Sequence, residues 1–152
     1  MKRQHPKEVG DRTTLAVMLA LRMAGLAILV PFGENTRYDL VIDDGRRLAR
    51  VQCKTGRLRH GAVYFPVCST YGHHRNPQTA RRHYRGQVDY FAVYCPETHS
   101  VYLVPIDDLP VKVQASLRVE APRNNQVRNV RLATDYLVGS VAWESGLPSS
   151  PR

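Results

Sequence analysis

Between residues 9 and 24 the apolar side chains Leu15, Met18, Leu19, Leu21 and Met23 recur at mixed three- and four-residue steps without proline, and Gly25 follows as a stop. That spacing predicts an amphipathic helix. Residues 26–30 form a short apolar run closed by Pro31 and Gly33, the pattern of a buried strand. Residues 38–43 and 46–54 alternate polar and apolar around Asp44-Gly45, a dipeptide favoured in two-residue hairpin turns because both positions tolerate positive φ. Residues 62–68, 88–94 and 101–106 read as further strands, the last two joined by a hairpin loop over 96–100. The intervening 69–87 stretch holds Arg75, Arg81, Arg82, Arg85 and three histidines with few apolar residues, so it reads as a basic loop with room for one helical turn. A short helix is expected after Asp107-Asp108-Leu109-Pro110, while 118–131, rich in Arg, Asn and Gln, has no decisive period.

A helix followed by strands of both connectivities gives an α/β class with a mixed sheet of about five to six strands. At 152 residues the chain suits one domain: residues 1–146, with a core over about 9–110, a basic extension over 111–146, and a disordered tail over 147–152. There is no internal repeat or low-complexity tract.

Composition narrows the function. With 43% hydrophobic and 23% charged residues the chain is ordinary globular material, which excludes fibrous and disordered classes. A net charge of +9 points to a polyanionic partner, nucleic acid first. Cys53, Cys68 and Cys95 are odd in number and lack CxxC spacing, so a disulfide framework and a structural zinc site are both disfavoured and a cytoplasmic, nucleoid-associated location is expected. The run Leu15 to Leu21 follows Lys2, Arg3, Lys7 and Arg12, as a leader would, but Arg22 interrupts it and no cleavage site follows. The apolar stretch 24–30 is too short to span a bilayer.

The candidate chemistry sits in the hairpin. A two-residue turn at Asp44-Gly45 would set Asp43 against Arg46 and Asp39 against Arg50, with Asp39, Arg50, Gln52 and Lys54 on one face. Leu40, Ile42, Ala49, Val51 and Cys53 would share the core face. Asp39 and Gln52 would then be diagonal neighbours, roughly 7–8 Å apart. The Asp39 carboxylate, the Gln52 amide oxygen and the Cys53 backbone carbonyl are hard oxygen donors suited to Mg²⁺, with Mn²⁺ able to substitute. A cation there, with Lys54 pointing the same way, suits phosphodiester hydrolysis. The competing reading is a hairpin whose polar face is merely solvated.

These residues resemble the PD-(D/E)xK nucleases, specifically the small group I intron-associated homing endonucleases. The likeness rests on Asp39 followed by Gln52-Cys53-Lys54, within Pro31-Phe32-Gly33-Glu34-Asn35-Thr36-Arg37-Tyr38-Asp39-Leu40-Val41-Ile42 and Arg50-Val51-Gln52-Cys53-Lys54-Thr55-Gly56. Tyr84-Arg85-Gly86-Gln87-Val88-Asp89-Tyr90-Phe91 and Val101-Tyr102-Leu103-Val104-Pro105 extend it, so that it covers about two thirds of the chain. The resemblance implies a restriction-endonuclease-like core, a sheet flanked by helices. It also implies Asp39 as metal ligand, Gln52 in the place usually held by Glu or Asp, and Lys54 as the catalytic lysine. An acidic residue of the first helix completes such sites; Asp11, after Gly10, matches better than Glu8. Glutamine removes one negative charge and should weaken metal affinity.

Arg57 and Arg59 follow the motif directly and are expected to meet DNA, together with Tyr71, Arg75, Arg81, Arg82, Tyr84 and Arg85. Arg118, Arg123, Asn124, Asn125, Gln126 and Arg128 could read purine edges, although Asn and Gln are equally common in turns. Cys68, His73, His74, Asn76 and His83 match neither zinc nor His-Asn-His spacing, and Tyr136, Leu137 and Trp143 read as packing. The function expected is a Mg²⁺-dependent endonuclease for double-stranded DNA, working as a homo-oligomer, dimer or tetramer. A Holliday-junction resolvase, a restriction-type nuclease and an inactive DNA-binding module are the alternatives.

Overall fold

The computed structural model describes residues 3–33, 35–70, 81–109, 113–122, 124, 128 and 130–142. One helix, α1 (Pro6–Met23), opens the chain. His5 caps its start by accepting the Lys7 N–H through its ring, Pro6 needs no N–H partner there, and Gly25 at φ +86° releases the chain at its end. The buried face is Thr13, Ala16, Val17, Ala20 and Leu21. Leu15, Leu19 and Met23, counted toward the apolar period, stand exposed on the other side. Two alanines on the inner face let α1 lie close to the sheet.

Among the described residues eleven strands follow, the first ten being β1 (Ala27–Leu29), β2 (Leu40–Asp43), β3 (Leu48–Thr55), β4 (Arg57–Arg59), β5 (Ala62–Pro66), β6 (Cys68–Thr70), β7 (Arg81–His83), β8 (Tyr90–Cys95), β9 (Ser100–Pro105) and β10 (Gln114–Arg118). The last, β11, is Leu137–Ser140. A six-stranded mixed sheet runs β1-β2-β3-β8-β9-β11, with β3 and β8 its parallel pair. A three-stranded sheet, β10-β5-β4, and a two-stranded ribbon, β6-β7, complete the strands. The main sheet is therefore clad differently on its two faces. Leu40, Ile42, Ala49, Val51, Ala92, Tyr94 and Val101 pack under α1. Phe91, Val93, Cys95, Tyr102 and Val104 pack against Val63, Phe65, Ala115 and Leu117 of the smaller sheet. The described residues contain a single α-helix, so strands cover the second face where a further helix was expected.

Several expectations change at element level. The strand near residue 28 is an edge, with Leu29 and Val30 exposed, because only β2 pairs with it. Ile106–Asp108 forms a 3-10 turn and Gln114–Arg118 is strand β10, where a short helix was expected after Pro110; residues 110–112 lie outside the described residues. Part of the 69–87 loop is the β6-β7 ribbon. The expected tail lies outside the described residues. No described helix is long and apolar enough to cross a membrane.

The hairpin register also differs. Leu40 pairs with Val51, Val41 with Arg50 and Asp43 with Leu48, so residues 44–47 form the loop and Asp43 does not face Arg46. The cause is local: Asp44 Oδ1 accepts the Arg46 and Arg47 N–H groups at 2.8 and 2.9 Å, and Asp43 Oδ1 accepts the Gly45 N–H at 2.8 Å. Aspartates that capture backbone amides widen the turn. The shift is by two residues, so every side chain keeps its face.

Candidate active site

The ladder between β2 and β3 ends at Asp39, whose N–H donates to Val51 O at 2.9 Å. One step further, its side chain takes over from its backbone: Asp39 Oδ2 accepts the Cys53 N–H at 2.8 Å. The carboxylate thus lies along the edge of β3 where β2 stops. An extended residue sends its N–H and C=O to the same edge, so the Cys53 carbonyl leaves β3 on the side that Asp39 occupies. Burial raises the Asp39 carboxyl above its ordinary range, against the opposing pull of the Cys53 N–H and the Lys54 charge.

Gln52 and Lys54 alternate with Cys53, so they share the face of β3 turned away from α1. Gln52 is half-buried there. Lys54 donates to Tyr84 Oη at 3.2 Å, with Nζ 4.6 Å from the Tyr84 ring centre and 5.7 Å from that of Phe91. The Cys53 thiol is held far above its usual range by burial and by the Asp39 charge. Its side chain turns toward α1, and the backbone carbonyl is the donor this residue offers beside Asp39.

The donor set suits a hard cation. A carboxylate, a backbone carbonyl and an amide oxygen are hard donors of the kind Mg²⁺ accepts while keeping several waters. A carboxyl already pushed toward protonation by burial gains most from a neighbouring positive charge. No group of three or more His, Cys, Asp or Glu able to hold a metal occurs among the described residues.

The other expected residues are placed as follows. Glu8 and Asp11 are exposed on the first turns of α1, which Thr13 ties to the end of β3 through Thr55 (2.6 Å between hydroxyls). The groups acting on the Asp39 carboxyl are the Cys53 amide and Lys54, and neither helix acid joins them. Arg57 and Arg59 project from one side of β4 into solvent, with Leu58 between them turned inward. Arg81 and Arg82 lie in β7, and Arg85 is exposed, donating to Leu109 O at 3.5 Å. Tyr71, Arg75, His73, His74, Asn76, Arg123, Asn125, Gln126 and Trp143 lie outside the described residues. Tyr84 is a correction: it is 4% exposed and sits edge-on to Phe91, not on a DNA-facing surface. Arg118 spends its guanidinium on the His60 and Glu120 carbonyls, so it braces a turn. Cys68 is buried with its sulfur toward Val113 O.

Two residues were missed. Arg37 stacks 3.9 Å over the Tyr84 ring and donates to Gln87 Oε1 at 2.6 Å. Asp89 receives Arg50 through both backbone and guanidinium. Their spacing from the motif in sequence carries no signal of either contact.

The family model for PD-(D/E)XK endonucleases matches residues 4–138. The chain belongs to that family. As a PD-(D/E)XK endonuclease it is a nuclease. The solved structure of a bacterial homing endonuclease, I-Ssp6803I, is similar to it, with a TM-score of 0.69 and 28% identity over 88% of this chain and 89% of that one. That likeness confirms the restriction-endonuclease-like core. Hjc, a Holliday junction resolvase from the archaeal hyperthermophile Archaeoglobus fulgidus, is a looser likeness, with a TM-score of 0.43 and 16% identity over 72% of this chain and 83% of that one. No curated protein matches the sequence.

Proposed function

We propose that this PD-(D/E)XK endonuclease is a divalent-metal-dependent homing-type enzyme that cuts double-stranded DNA. The observation that carries the reading is a half-buried carboxylate, Asp39, held on the Cys53 amide at the point where β2 stops covering β3 and within the influence of the Lys54 charge. The likeness to a bacterial homing endonuclease supports the class of enzyme, and the +9 charge supports a polyanionic substrate.

Asp39, the Cys53 carbonyl and Gln52 would hold the cation, Mg²⁺ or Mn²⁺, with Asp11 or, failing that, Glu8 contributing through water. Such a cation, when bound, supplies positive charge to a phosphoryl oxygen and acidifies a water. Asp39 is held in place by the Cys53 amide, so it would hold a cation without reorganising. Lys54, fixed on Tyr84, presents its remaining N–H groups to the scissile phosphate and offsets the charge that builds there. Arg57 and Arg59 on β4 grip the flanking backbone, with the basic 71–85 segment as a second grip. Each subunit offers one such site, so cutting both strands calls for two or more copies.

The test is incubation of the purified protein with a mixed plasmid and genomic DNA panel in Mg²⁺ and in EDTA. Discrete fragments in Mg²⁺ alone support the reading. Tight, salt-sensitive binding with no cutting in either buffer replaces it with a DNA-binding module.

A further inference from the structure

Lysine is a poor positioned group by default. Its four-carbon stem is flexible, and its ammonium is a point charge with no preferred plane. Something must hold Lys54 if it is to meet one phosphate oxygen. No ion pair to Lys54 is present among the described residues; what it touches is the Tyr84 hydroxyl and two aromatic rings.

Tyr84 is itself fixed from several directions. Its ring stands edge-on to Phe91, 5.2 Å between centres at 86°. The Arg37 guanidinium lies 3.9 Å over the ring and is anchored by Gln87 at 2.6 Å. Tyr84 O accepts the Gln87 and Val88 N–H groups at 3.0 and 3.1 Å, closing a tight turn in which Gly86 sits at φ +75°. From the other side, Arg50 on β3 donates to Gly86 O at 3.1 Å and to both oxygens of Asp89. Two arginines therefore clasp one turn, and that turn carries the hydroxyl that meets Lys54.

We propose that Tyr84 is the positioning residue for Lys54, and that the turn over residues 84–87, clasped by Arg37 and Arg50, exists to hold it. The proposal rests on the nuclease reading of Lys54 and deepens it. A core tyrosine could be phenylalanine if only its ring mattered; here the buried hydroxyl meets the one lysine of the motif. An uncharged hydroxyl orients the ammonium without cancelling its charge, as a carboxylate partner would.

The experiment is single-turnover cleavage by Tyr84→Phe, Lys54→Gln and the double variant, at saturating protein and metal. Tyr84→Phe keeps the Phe91 and Arg37 contacts. It should cut about tenfold slower, the size expected for one hydrogen bond to a charged group, with DNA affinity and melting temperature unchanged. In the Lys54→Gln background the same change should do nothing further. A wild-type rate for Tyr84→Phe, or the same tenfold loss with Lys54 already gone, overturns the proposal. Independently of activity, the Lys54 ε-methylene protons of the full-length protein, identified by their absence in Lys54→Gln, should resonate upfield because of the two rings. Random-coil shifts overturn the proposal even if Tyr84→Phe fails to fold. A wild type that cuts nothing sinks the nuclease reading, and these shifts then decide by themselves whether Tyr84 holds Lys54.

Discussion

Gly56, two residues beyond Lys54, is where the main sheet hands the chain to the smaller one. Its N–H continues the β3-β8 ladder to Tyr94 O at 2.8 Å, and the next residue begins β4. A Cβ at this position would stand 2.5 Å from Val63 Cγ1 and 2.8 Å from Val93 Cγ1, with Cys95 Cβ at 3.7 Å. Both valines are fully buried, and β-branched side chains have little χ1 freedom with which to retreat. Gly56→Ala must therefore part the two sheets or push a valine off its rotamer, a cost of about 1–3 kcal/mol. For a chain of this size each kcal/mol lowers the melting temperature by about 2–4 °C. The assay is urea unfolding with a thermal scan on wild type, Gly56→Ala and Gly56→Ala/Val63→Ala. Deleting the Val63 methyls removes the closest obstruction, so the double variant should be more stable than the two single losses imply. Gly10→Ala is the contrast: this helical glycine has nothing within 4 Å of its would-be Cβ, and alanine there should add about 0.5–1 kcal/mol. A Gly56→Ala protein as stable as wild type would refute the account of how the two sheets meet beside Lys54.

Asp39→Asn should stabilise the metal-free protein at neutral pH by about 0.5–2 kcal/mol, the usual scale for relieving a functional group, while abolishing cleavage and any rise in melting temperature on adding Mg²⁺. The sign follows from burial: a carboxyl whose folded value is raised loses stability as pH rises from the unfolded value to the folded one, so the advantage of asparagine should shrink as pH falls through that range. By the same competition between proton and cation, metal-induced stabilisation of the wild type should fade at a pH above that of an ordinary aspartate. Arg57→Gln/Arg59→Gln should leave the fold intact, because both side chains project into solvent, and should flatten the slope of log K against log salt for DNA binding by roughly 2; an unchanged slope removes both from the DNA face.

The face assignments of the hairpin were legible because strand side chains alternate strictly, and a register error of two residues leaves the alternation intact. The register itself was not, since Asp44 binds two loop amides and a dipeptide rule takes no account of that competition. Asp39 and Lys54 were found from spacing and resemblance. Their real relation, a carboxylate along the strand edge bonded to the Cys53 amide, depends on where β2 stops, which no local pattern encodes. Tyr84 sits among arginines and histidines in sequence, so it read as surface; only the long-range packing against Phe91 shows it to be core. The second sheet was hidden for the same reason, because β5 and β10 pair across about fifty residues. Leu15, Leu19 and Met23 misled in the opposite direction: they are large apolar residues of α1, yet they stand exposed while Ala16, Val17, Ala20 and Leu21 face the sheet.

The central claim, that Asp39, Gln52 and Lys54 form one catalytic centre, is tested most directly by Lys54→Ala in single-turnover cleavage of a DNA the wild type cuts. Loss of at least about a hundredfold in rate, with DNA affinity and Mg²⁺-induced stabilisation retained, is the result expected. Cleavage at the wild-type rate would place the chemistry elsewhere on the molecule.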